Sequence, residues 1–301
     1  MAIQWFPGHM HVARKQVAET MAKVDVVIEI VDARLPWSSS NPMIEGMRLL
    51  RQRPALKILN KADLADPRMS AVWLDWFKSQ PGVDAMLLGE ENKAAGVTKL
   101  STLCSKLAPH RTGEVKPLRA LILGIPNVGK STLMNYLAKR RIANVADTPG
   151  VTKSQQRIEL QNGMILYDTP GLMWPKVHDE NSGYRLAMAG SIGTNAYDQI
   201  DVAWFAVDTL RERYPQALLD RFGLKEYIGE TEDVFAAIAK RRGAVLSGGR
   251  IDEQKAAEMI LTEFRSGALG RITLETPDDI TAPPDDSLLD DIEDDDARSD
   301  S

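Results

Sequence analysis

A chain of 301 residues, 44% hydrophobic and 26% charged, carries enough apolar content for sizeable cores, which excludes disorder throughout. No apolar run reaches the roughly eighteen residues of a membrane helix. The start, MAIQWFPGHMHVARKQ, lacks the apolar core of a secretory signal, and one cysteine, Cys104, with four scattered histidines excludes a disulfide framework or a closed zinc site. A soluble protein of the reducing cytoplasm, with no membrane partner, is expected.

In chain order, residues 10 to 22 predict a helix and VDVVIEIV (24 to 31) a strand. The runs ALKIL (55 to 59), VDAMLL (83 to 88) and LRALIL (118 to 123) predict further strands, with helices at 70 to 79 and 130 to 139 among the segments between them. In RIELQNGMILYD, Asn162-Gly163 between alternating runs predicts an antiparallel hairpin whose second strand is 164 to 167. The spacing predicts an α/β domain with a mostly parallel sheet over residues 1 to 175. Helical periodicity then takes over at 183 to 200, 209 to 221, 231 to 242 and 252 to 266, so 176 to 276 read as a smaller all-α domain. WFAV, 204 to 207, has the composition of a strand inside that helical region. From Pro277 to Ser301 there are eleven Asp or Glu and one Arg, about −10, while residues 1 to 276 hold 36 basic and 31 acidic residues, +5. The net charge of −5 thus sums a mildly basic body and an acidic tail, 277 to 301, expected to be disordered.

Gly124-Ile-Pro-Asn-Val-Gly-Lys-Ser131 fits G-x-x-x-x-G-K-[ST] and stands between a predicted strand and a predicted helix, the context in which this motif cradles phosphates. Its backbone curls so that N–H groups of Asn127, Val128, Gly129, Lys130, Ser131 and Thr132 face the phosphates. Lys130 then bridges β- and γ-phosphate oxygens, and the Ser131 hydroxyl is a candidate ligand of Mg²⁺. Asn60-Lys61-Ala62-Asp63 follows the strand ALKIL and fits the guanine-reading N-K-x-D. The Asp63 carboxylate accepts from the ring N–H and amine of guanine, Asn60 holds the loop, and the Lys61 stem packs along the ring. Alone that tetrapeptide fits a solvated turn; beside the phosphate loop it selects GTP over ATP. Asp-Thr-Pro-Gly occurs at 147 to 150 and 168 to 171, and only the second follows a buried strand. Asp168 and Gly171 are therefore the candidate γ-phosphate and Mg²⁺ sensor, Asp168 acting through water. The first copy suits a switch loop whose Thr152, or alternatively Thr148, completes the metal shell.

The guanine motif precedes the phosphate loop by 64 residues, the reverse of the usual order, so the domain reads as a circular permutation. Together with Trp5-Phe-Pro-Gly-His-Met10, Asp32-Ala-Arg-Leu-Pro36, Pro149-Gly-Val-Thr152, RRGAVLSGGRID (241 to 252) and FRSGALGRITLE (264 to 275), these motifs resemble the RbgA/YlqF family of circularly permuted GTPases over residues 3 to 276. The resemblance implies a monomeric GTPase that binds GTP and GDP and acts on a late precursor of the large ribosomal subunit. It is slow alone, stimulated by the subunit, and released on hydrolysis. The alternative is an RNA-binding scaffold that nucleotide only rigidifies; a P-loop ATPase or kinase is disfavoured by Asn60 to Asp63.

The resemblance also assigns residues. Leu172 stands where Ras-like proteins place a water-orienting glutamine. His9 is the implied replacement, against the reading of a histidine that only starts a helix. Asn127 resembles the asparagine that holds a K⁺, against a plain turn residue. A Ser-Ala-like pair that supports the base is not found, and Leu88 with Gly89 stands in its place through backbone groups. Lys225, Lys240, Arg241, Arg242, Arg250 and Arg271 are candidate rRNA phosphate contacts, against a solvated helix face.

Overall fold

The computed structural model describes residues 3, 9–111, 116–138, 156–160, 162–169, 171–174, 179–224 and 229–280, except for the side chains of His9 and His11. Among these residues, six strands form one sheet: β1 (Val26–Asp32), β2 (Ala55–Asn60), β3 (Val83–Leu88), β4 (Arg119–Gly124), β5 (Gln156–Glu159) and β6 (Ile165–Asp168). The order across the sheet is β3-β2-β1-β4-β6-β5, and every pairing is parallel except the β5–β6 hairpin. β1 is buried along its whole length, as its near-continuous apolar sequence requires of a strand covered on both faces. The hairpin turns at Asn162-Gly163, with Gly163 at φ +79° and Leu160 N donating to Met164 O at 2.9 Å.

Two helices that cover the sheet lie outside the helices read from the sequence. α2 (Pro42–Leu50) buries Met43, Ile44 and Met47 on one face but is only nine residues long and carries Gly46, while α4 (Lys93–Leu107) is rich in Ser and Thr and has only a weak apolar stripe. Between them in sequence, α3 (Pro67–Ser79) starts three residues earlier than its periodicity indicates. Asp66 caps it and Pro67 supplies the preset φ of a first helical residue. α3 packs Trp73 and Phe77 onto Val31, Leu59 and Ala85, and α4 meets the other face at Leu88 and Met86. α1 (His9–Met21) and α5 (Lys130–Leu137) complete this half.

The remainder is helical: α6 (Glu180–Met188), α7 (Gln199–Arg213), α8 (Pro215–Phe222), α9 (Thr231–Arg241) and α10 (Glu253–Arg265). The periodicity over 183 to 200 is two pieces rather than one helix, because Gly190, at φ +76°, ends α6 and Asp198 caps α7. WFAV lies inside α7, where Trp204 stacks on Phe235 of α9 with ring centroids 4.4 Å apart. Pro215 opens α8 rather than interrupting a helix over 209 to 221. One buried apolar cluster runs from the sheet into these helices. Of the acidic stretch, Pro277–Asp279 form a 3-10 turn whose Asp279 pairs with Arg213 at 2.8 Å, so this part is structured rather than disordered; residues 281 to 301 lie outside the described residues. Among the described residues no helix is long and apolar enough to cross a membrane.

Candidate functional site

Asp32, Asn60, Leu88, Gly124 and Asp168 are the last residues of β1, β2, β3, β4 and β6. Those strands are parallel, so their ends share one edge of the sheet, the position where open α/β folds bind ligands. Register sharpens the grouping: Asp32 stands opposite Asn60, and Asn60 opposite Leu88.

The phosphate loop leaves β4 at Gly124 and turns through left-handed residues at Asn127 (φ +58°) and Gly129 (φ +98°) before α5 begins at Lys130. A side chain at Gly129 would run into that of Asn60 as well as strain the backbone. Lys130 to Thr132 form a helix N-terminus, where amides and dipole favour an anion. The buried Lys130 ammonium pairs with Asp168 Oδ1. Asp168 Oδ2 is buried with no hydrogen-bond partner. An orphaned, buried carboxylate oxygen and the hydroxyl that Ser131 brings to the first turn of α5 are hard oxygen donors of the kind a hydrated divalent cation takes, so the residues present fit Mg²⁺. Ser131 and Asp168 would hold it; bound there, it would neutralise phosphate charge. Thr148, Thr152 and residues 139 to 155 lie outside the described residues.

The guanine turn is tied to that loop by its own side chains. Asn60 Nδ2 donates to Val128 O at 2.8 Å and Lys61 Nζ to Asn127 O at 2.9 Å. Lys61, at φ +59°, also contacts Asp32 Oδ2 at 2.9 Å. Asp32 in turn is gripped by Arg34 through Nε (3.0 Å) and Nη2 (2.8 Å). Burial alone would raise the Asp32 pKa, but the Arg34 and Lys61 charges outweigh it and hold the carboxyl well below the usual carboxylate range. Asp63 Oδ1 accepts from Glu90 N at 3.2 Å, and a Cβ on Gly89 would stand 3.0 Å from Asp63 N, so only glycine fits that close approach. Leu88 buries its side chain in the core and gives its carbonyl to Ala62 N at 3.0 Å. Backbone groups of Leu88, Gly89 and Glu90 thus stand against the turn that carries Ala62 and Asp63.

The helices reach this site directly. Asn127 Nδ2 donates to Gly190 O at 2.8 Å, and Arg34 Nη1 to Phe264 O at 3.2 Å while stacking over the Phe264 ring. Past the sensor, Leu172 N donates to Gly124 O at 3.2 Å, which sets Gly171 against Pro126. Leu172 is fully buried, and Asn41 Nδ2 holds its carbonyl at 2.9 Å. His9 opens α1, and its side chain lies outside the described atoms.

Of the basic candidates, Lys240 and Arg241 end α9, Arg242 follows, and Arg250 sits on the exposed turn closed by the Val245–Ile251 bridge. Arg242 also donates to Arg221 O at 3.0 Å and lies over the Phe222 ring. Lys225 lies outside the described residues. Arg271 is exposed, and its guanidinium donates from Nε to Ala65 O and from Nη2 to Ala62 O, each at 3.0 Å. Asp32, Arg34 and Glu90 were missed as site residues; for the first two the signal available was a charged D-A-R at the end of a mostly apolar strand.

A phosphate loop, a guanine turn and an acidic sensor at the ends of parallel strands, in permuted order, define a circularly permuted P-loop GTPase. The family model for 50S ribosome-binding GTPases matches residues 119–240. The ribosome biogenesis GTPase A of Bacillus cereus is 43% identical over 286 residues, covering 93% of this chain and 95% of that protein. That of Priestia megaterium is 42% identical over 291 residues, covering 94% and 100%. The crystal structure of GNP-bound YlqF from Thermotoga maritima superposes with a TM-score of 0.63 at 27% identity, covering 89% of this chain and 100% of that one. The chain belongs to the ribosome biogenesis GTPase A (YlqF) family, and with that family goes a requirement for Mg²⁺.

Proposed function

We propose that this GTPase is an assembly factor for a late precursor of the large ribosomal subunit, engaging it with GTP bound and leaving on hydrolysis. The relatives' names supply the ribosomal setting. The observation that carries the reading is the bond from phosphate-loop Asn127 to Gly190 at the end of α6, a path by which the state of the phosphates reaches the helices. Residues 1 to 175 act as the GTPase unit and 176 to 276 as the rRNA-facing one, through Lys240, Arg241, Arg242 and Arg250. Hydrolysis is slow until the subunit is bound, His9 orients the attacking water, Thr152 completes the Mg²⁺ shell, and Asn127 holds a K⁺. The protein works as a monomer in the cytoplasm.

The test is GTP turnover with and without large subunits, in K⁺ and in Na⁺, for wild type and His9→Ala. The expected result is stimulation by the subunit, faster turnover in K⁺, and at least a tenfold loss in the variant with GTP affinity kept. Equal single-turnover rates for the two proteins remove the role of His9, and equal rates in the two salts remove that of K⁺.

A further inference from the structure

The segment after α10 does not end on the helices; it returns to the sheet edge and backs the guanine turn. Arg271 donates to Ala62 O and Ala65 O, each at 3.0 Å, and Ile272 N to Leu64 O at 3.0 Å. The Thr273 hydroxyl accepts from Asp66 N at 3.2 Å and donates to Ala33 O at 3.3 Å, while Leu274 N donates to Arg34 O at 2.6 Å. Three carbonyls of the turn that carries Asp63, those of Ala62, Leu64 and Ala65, are therefore fixed from behind by one short stretch of chain. Arg271 and Asp63 line the same cavity of about 200 Å³, together with Ser70 and Gly89. The Ser70 hydroxyl is buried there without a partner.

From this arrangement we infer that Arg271 is a positioning residue of the guanine site and sets how strictly the base is read. Selection of guanine depends on where one carboxylate points, because the ring N–H and the exocyclic amine must both meet Asp63. The turn is not stable in that shape by itself: Lys61 occupies the left-handed region, which costs a residue with a side chain on the order of 1 kcal/mol. A planar guanidinium holding two carbonyls three residues apart fixes the turn as one ammonium cannot, since its donors diverge in a rigid fork. Without it, Ala62 and Ala65 turn their carbonyls to water and the Asp63 carboxylate loses its fixed direction. Phosphate contacts, made by the loop before α5, are untouched.

The inference rests on Asp63 reading guanine, and the experiment separates the two. Affinities for GDP and for IDP, which lacks the exocyclic amine, are measured on the full chain for wild type, Arg271→Ala and Arg271→Lys, with nucleotide-free thermal melting as a check on folding. Wild type is expected to prefer GDP. Arg271→Ala is expected to bind GDP about tenfold more weakly with a smaller loss for IDP, so that the GDP to IDP ratio falls severalfold, and Arg271→Lys is expected to lie between. A wild type that binds both nucleotides equally removes the reading of Asp63 and this inference with it. A discriminating wild type whose Arg271→Ala variant keeps the same ratio, whether or not both affinities fall, overturns the role of Arg271 alone. Should Arg271→Ala melt below the assay temperature, the ratio for Arg271→Lys decides.

Discussion

Lys130 and Asp168 set opposite charges at 5% and 0% exposure, with one carboxylate oxygen matched and the other not. Removing one member of a buried pair costs more than the pair contributes, because the remaining charge stays desolvated. Lys130→Ala is therefore expected to abolish GTP hydrolysis and also to lower stability by about 3 to 5 kcal/mol in urea denaturation. Adding Asp168→Asn should restore most of the stability and none of the hydrolysis. Asp32 makes a different prediction. Its folded pKa lies below the unfolded value near 3.8, so its contribution is present above that value and lost as pH falls through the folded one. The stability difference between wild type and Asp32→Asn should be constant above about pH 5 and close below about pH 4; a difference that persists in acid contradicts the pairing. Lys130 and Asn60 to Asp63 were legible because each motif is contiguous. Asp32, Arg34 and Arg271 were not, because their meaning lies in partners such as Ala62, 209 positions before Arg271.

Among elements, the segment 271 to 275 has the least conspicuous sequence and the most connections. Glu275 accepts from Trp37 N, from Ser38 N at 2.9 Å and from the Ser38 hydroxyl, with Arg185 at 3.3 Å, and its carbonyl takes the Trp73 indole N–H at 3.0 Å. Burial nevertheless pushes the Glu275 pKa above the usual carboxylate range. A carboxyl with a raised folded pKa contributes stability that is complete below the unfolded pKa and is lost as pH rises through the folded one. Wild type should thus lose stability relative to Glu275→Gln as pH rises above the unfolded value near 4.5, followed by chemical denaturation; a flat difference rules this out. Strands and the hairpin were readable from buried apolar runs and from Asn162-Gly163. α2 was not, since its apolar face spans barely two turns, and α4 was not, since a Ser/Thr-rich helix owes its form to packing against the sheet more than to a pattern of its own. The segment 271 to 275 belongs to no helix and no strand of the sheet, so no periodicity announces it.

For the molecule as a whole, charge is distributed by segment. The acidic stretch is anchored at its start, where Asp279 meets Arg213 and Ile280 packs against the buried cluster that contains Trp73 and Phe77, so a clean truncation begins after Ile280 rather than at Thr276. Removing 281 to 301 takes away nine Asp or Glu and one Arg and turns the net charge from −5 to about +3. Affinity for duplex RNA should rise at low salt and the gain should fade as salt increases. Equal salt dependence with and without the tail shows that its charge is not felt at the basic residues proposed to meet RNA. The brace on the guanine turn carries a last consequence, for synthesis. The ribosome makes the guanine turn among the first 66 residues and its backing among the last 31, at Arg271 to Glu275. A polypeptide that terminates early carries every GTP-binding motif and still lacks the part that completes the pocket. If Arg271 positions the guanine turn, strict reading of the base is thereby acquired later in synthesis than the binding of phosphate.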